Sequence, residues 1–140
     1  MSMADRFRGP VRAILGWVLL SCATVGEVAA EPYRNQWSPT MLEISQLPRF
    51  CRGQFIPEER KVWLATIAPC GTYMNHFCPG LVLINRAANA SKSKVERRED
   101  LRMARGEIEY TRNFLKQPCP IEDEIQGAES RIKVLQIFLK

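Results

Sequence analysis

Met74, His76 and Cys78 stand two residues apart in the segment Cys70-Gly-Thr-Tyr-Met-Asn-His-Phe-Cys-Pro, and His76 is the single histidine of the chain. Thioether, imidazole and thiolate are the donor types of a soft-metal or copper site. The segment could therefore belong to a small exported copper-type binding protein. A plainer use competes with this one: Cys78 closes a disulfide, and His76 hydrogen-bonds at a helix start. Spacing favours the plainer use, because alternate residues of a helix point to different sides and neighbours about four apart share a face. Cysteine with histidine is also the pair of a thiol nucleophile and its base, a role that needs a free thiolate. No Cys-x-x-Cys or Cys-x-x-Cys-His occurs, so thioredoxin-type exchange and attached haem are not indicated. Glu96, Glu99, Asp100, Glu107 and Glu109 are interleaved with Arg97, Arg98, Arg102 and Arg105. That pattern reads as a solvated, ion-paired helix face rather than an acid/base pair. With no convergent catalytic set and no glycine-rich phosphate loop, the expectation is a protein without enzymatic activity or cofactor.

The compartment is read from the first thirty residues. Arg6, Arg8 and Arg12 precede an apolar run from Ala13 to Val25, and small residues follow to Ala29-Ala30. This is the pattern of a signal peptide cut between Ala30 and Glu31. The run is too short for an ordinary bilayer span of about 20 residues. Leu19-Leu20-Ser21-Cys22 resembles a bacterial lipobox, so acylation of Cys22 is an alternative, and an uncleaved anchor is another. The expected location is exported, periplasmic or secreted, with membrane attachment only if Cys22 is lipidated or the signal stays uncut.

Cys51, Cys70, Cys78 and Cys119 follow the leader. An even count in a short exported chain implies a disulfide framework. Without residues 1–30 the Lys and Arg total falls from 20 to 17 and the Asp and Glu total from 15 to 13, so the net charge of +5 becomes +4. Such a mild excess, not concentrated in one stripe, does not suggest a nucleic-acid binder. The run from Lys92 to Arg105 could touch lipopolysaccharide, cell wall or an acidic partner.

Residues 31–140 read as one domain in two stretches, 31–70 and 71–140. In the first, Ser38 and Pro39 look like the N-cap and first residue of a short helix ended by Pro48, with Met41, Leu42, Ile44 and Leu47 on its apolar face. Arg49 to Cys70, rich in Pro and Gly yet apolar, reads as an irregular packed segment with a helical turn over 58–64. In the second stretch, Phe77, Leu81, Ile84 and Ala88 mark a helix starting near Cys78. Ser93 and Glu96 form a capping box for a helix running to about Leu115. Leu101, Ala104, Ile108, Thr111 and Leu115 make its stripe. Pro120 opens a last helix, with Ile121, Ile125, Ala128, Ile132, Leu135 and Leu139 at steps of four and three. Short connections make these three helices antiparallel. Their geometry clusters Cys70, Cys78 and Cys119 at one pole, which favours Cys119 with Cys70 or Cys78 and Cys51 with the remaining one; Cys70–Cys78 with Cys51–Cys119 is the alternative.

The helix–turn–helix–turn–helix over Cys78 to Leu139, with Ala104 and Ala128 at close-contact positions and a Pro after the second helix, resembles the tetratricopeptide type. At most one and a half repeats would fit. The segment Cys70 to Leu81, leading into Asn85-Arg86-Ala87, is similar to small exported proteobacterial proteins of unknown role. The helical periods, with no competing strand pattern, predict an all-α fold: a small antiparallel bundle, TPR-like over its helix-turn-helix, with an irregular disulfide-tied N-terminal segment. A non-enzymatic interaction module for an envelope protein partner is the expected function.

Overall fold

The structure is a computed structural model of the chain and describes residues 38–140. The expected signal peptide, the expected cleavage point and Cys22 lie outside the described residues. Among those residues there are six α-helices and no strand: α1 (Met41–Ser45), α2 (Arg49–Phe55), α3 (Arg60–Ile67), α4 (Phe77–Ala88), α5 (Lys94–Asn113) and α6 (Glu122–Phe138). Single 3₁₀ turns cover Pro57–Glu59, Ala68–Cys70 and Met74–His76. The fold is an all-α bundle.

Helices α4, α5 and α6 are the frame. Ser93 and Glu96 close the expected capping box at the start of α5, the hydroxyl accepting from the Glu96 N–H at 3.3 Å and the carboxylate accepting from the Ser93 N–H at 2.9 Å. The antiparallel order shows in the bonds between helix ends. Arg97 Nε donates to the Ala87 carbonyl at 2.8 Å, joining the start of α5 to the end of α4. Arg112 bridges the other pole, its guanidinium bound to Glu122 and, at 2.8 Å, to Glu129 of α6. Those two carboxylates, Glu129 foremost, raise the pKa of the Arg112 guanidinium. The stripes meet between the helices: Phe77, Ile84, Ala104, Ile108, Ile125 and Ala128 are all buried. Gly80 lets α4 and α5 approach, since a Cβ there would stand 2.8 Å from Ile108 Cδ1. Thr111, wholly buried, is satisfied by donating to the Glu107 carbonyl at 2.9 Å.

The first stretch is more helical than its sequence suggests. Arg49 to Ile67 forms a hairpin of two helices, α2 and α3, instead of an irregular segment with one turn. Gly53 is the reason the hairpin closes: its missing Cβ would lie 2.2 Å from the Glu59 carbonyl oxygen and 2.8 Å from Trp63 Cβ. In sequence this glycine reads as a breaker; in the fold it is a contact point. The first short helix is also displaced. Its N-cap is Thr40, not Ser38, and Thr40 forms a capping box with Glu43. Ile44 and Leu47 face the core, but Met41 and Leu42 are 69% and 70% exposed. Helix α6 begins at Glu122, two residues beyond Pro120, and Ala88 is exposed while Ala87 is buried.

Two disulfides tie these parts together. Cys51 in α2 is bonded to Cys78 in the first turn of α4, and Cys70 is bonded to Cys119 in the α5–α6 connection. This is one of the two pairings that polar clustering of the cysteines favours. The Lys116 N–H, donating to the Cys70 carbonyl at 2.8 Å, reinforces the second link.

Candidate functional site

The fold distributes the residues of the histidine segment. Cys78 is fully buried with its sulfur bonded to Cys51, so it offers neither a thiolate donor nor a nucleophile. Met74 is 1% exposed in the core. His76 alone faces outward, on the 3₁₀ turn before α4. Its Nδ1 is hydrogen-bonded to Glu107 Oε2 at 2.7 Å. Glu107 reads in sequence as one more solvated acid of α5; only the packing of that turn against α5 makes it the partner of His76. Among the described residues no group of three His, Cys, Asp or Glu is placed to hold a metal ion.

Around His76 the structure gathers aromatics that are up to 41 residues apart in sequence, from Tyr73 to Phe114, yet share no visible motif. The His76 ring lies 4.3 Å from that of Tyr110, Tyr110 lies 4.7 Å from Phe114, and Phe114 lies 4.8 Å from Tyr73. Tyr110 and Phe114 are one helical turn apart, so the pair was implied by α5 itself. A histidine oriented by a carboxylate is half of a general acid/base device. The nucleophile that the sequence offered to complete it is locked in a disulfide. The cluster works as a packed lid joining the 3₁₀ turn to α5.

A different feature has the shape of a binding site. Helix α4 is covered by α5 on one side, and on the other it floors a trough between α1 and α6. Two depressions, of about 630 and about 570 Å³, adjoin there and share Gln46 and Asn85 in their walls. The larger is lined by Leu47, Pro48 and Leu81 with Glu124, Gly127, Ala128 and Arg131 of α6. The smaller is lined by Leu42, Glu43, Arg86, Ala88 and Asn89. The trough mixes apolar floor with carboxamides, which both donate and accept hydrogen bonds.

The electrostatics of the two ends differ. At the α1 end, Arg86 Nε donates to Glu43 Oε1 at 2.5 Å and a second guanidinium nitrogen reaches Oε2 at 3.0 Å. That pairing, above all, holds the Glu43 carboxyl down at about 2. At the α6 end, Arg131 donates to Asn85 Oδ1 at 2.6 Å, and no ion pair joins it to a carboxylate among the described residues. Partial sequestration lowers its pKa with no opposing anion. Sequence reasoning passed over Arg131 because it sits in a stretch read only for its apolar steps. Nothing short of the α4–α6 packing reveals that it overhangs a trough.

The chain matches no family model, no curated protein and no solved structure.

Proposed function

We propose that this is an exported, non-enzymatic interaction module, and that the trough along α4 seats a segment of a partner protein carrying a carboxylate. The observation that carries the reading is Arg131: a guanidinium at the trough wall, held by an amide and joined to no carboxylate among the described residues. A carboxylate supplied by a ligand would give this exposed cation a charge-assisted bond and fix the register of the bound segment. Leu47 and Leu81 show only their edges to the trough, and the Gln46 and Asn85 amides can bond the backbone of such a segment. Two disulfides support the exported part of the reading, since they persist in oxidising compartments and are rare elsewhere. The basic, apolar, small-residue order of the first thirty residues supports it too.

The test places a photo-crosslinking residue at Gln46, on the trough rim, and irradiates the intact expressing cell envelope. A discrete adduct that disappears when Arg131→Glu is added is the expected result. A chain that yields no adduct and runs as a solitary monomer by light scattering, in extracts that retain native complexes, refutes the reading.

A further inference from the structure

On α6 the buried stripe of Ile125, Ala128, Ile132 and Leu139 leaves a second apolar set facing away from the core. Val134, Ile137 and Phe138 stand at i, i+3 and i+4 and are 50%, 66% and 75% exposed. At the same pole Arg98 Nε donates to the Leu139 carbonyl at 2.5 Å, which fastens the first turns of α5 to the end of α6. Val95, one turn before Arg98, is 75% exposed there. Four large apolar side chains therefore protrude at one end of the bundle.

Their charged surroundings are mostly basic. From Ser130 to Lys140 the chain carries Arg131, Lys133 and Lys140 and no acidic residue. Helix α5 adds Arg98 and Arg102. Of the nearby acids, Glu99 is offset by Arg102 at 2.6 Å and Glu129 by Arg112 at 2.8 Å, while Glu96, in the Ser93 cap, and Glu109 keep their charge, so Arg98, Arg131, Lys133 and Lys140 leave the pole with a basic excess. Protruding apolar side chains with a basic excess beside them match the two components of peripheral membrane binding, apolar insertion at the headgroup boundary and attraction to anionic lipid. A stable protein interface would ask for roughly 800 Å² on each side, more than four side chains on a convex helix end supply. No helix among the described residues is long and apolar enough to cross a membrane, so this contact would be made from the surface.

We infer that the α5-start and α6-end pole docks on a bilayer rich in anionic phospholipid, with Ile137 and Phe138 entering the headgroup region and Lys133 and Lys140 meeting phosphates. The inference does not depend on the trough.

The experiment sediments the full chain with vesicles of phosphatidylcholine alone and of phosphatidylcholine mixed with phosphatidylglycerol. Wild-type protein should bind the anionic vesicles and release as salt rises and shrinks the screening length from roughly 30 Å at 0.01 M to roughly 8 Å at 0.15 M. Ile137→Ser with Phe138→Ser should weaken binding about tenfold or more, as removal of two inserting apolar side chains requires. Lys133→Gln with Lys140→Gln should weaken it about thirtyfold, at roughly one cation's attraction to an anionic surface for each lysine. All four positions are solvent-exposed, and unchanged far-UV dichroism verifies the fold. Equal binding to neutral and anionic vesicles, or full binding by both variants, overturns the inference. A wild-type chain that stays free of anionic vesicles overturns it as well and leaves the patch to a protein partner.

Discussion

Replacing Cys70 and Cys119 together by alanine should cost the bundle a large part of its stability without dissolving its helices. The bond closes a loop of 49 residues, and the other disulfide, Cys51–Cys78, offers the unfolded chain no shorter path between these two positions. Loop-closure entropy for a loop of that length is worth about 4 kcal/mol, and residual structure in the unfolded chain reduces the expected loss to about 3 kcal/mol. A domain of this size holds only about 5–15 kcal/mol in total. With roughly 4–8 °C of melting temperature per kcal/mol, the double variant should melt about 15 °C or more below the wild type. The loss should localise. Cys119 and the Lys116 N–H bond to Cys70 are the ties between the α5–α6 connection and the end of α3, so amides of residues 114–121 should exchange faster in the variant. Thermal unfolding followed by far-UV dichroism, with hydrogen exchange by mass spectrometry, measures both. A melting shift below about 5 °C with unchanged exchange in 114–121 would mean that side-chain packing alone holds this pole, and the reasoning would fail.

Gly53→Ala should destabilise, although alanine in a helix is ordinarily worth about 1 kcal/mol over glycine. The new methyl would meet the Glu59 carbonyl oxygen, a backbone atom that cannot turn aside, and overpacking of that kind costs roughly 1–3 kcal/mol or more; an urea midpoint above that of wild type would contradict it. The Glu43 carboxyl, held at about 2 against an ordinary 4.5, contributes stability that is whole above pH 4.5 and is lost as pH falls toward 2. Because the pair is partly solvated, that contribution is about 1–2 kcal/mol, and Glu43→Gln should remove it at neutral pH while flattening the wild-type decline across that acid window, as read by urea titrations at several pH values.

Local chemistry written in consecutive residues was legible without coordinates. The steps of four and three from Ile121 to Leu139, the Ser93–Glu96 box, the Ser91-Lys92-Ser93 break and the prolines at 118 and 120 depend only on residues within a turn of each other, so three long helices and the all-α class followed from them. The even set of cysteines implied cross-links for a similar reason: their number and the polar arrangement of three antiparallel helices narrow the pairings. The tertiary structure decided what depends on distance through space. It turned Gly53 from a breaker into the closing contact of an α2–α3 hairpin, because a clash with Glu59 exists only once the chain has folded back. It took Cys78 and Met74 away from His76 and gave that histidine Glu107, 31 residues on. It set Arg131 over a trough beside Asn85, and brought Val95 to the same pole as Phe138. A helical period tells which side chains share a face, but not which face another helix will cover. That choice belongs to the packing of whole helices, where the burial of many apolar side chains at once outweighs the preference of any single residue.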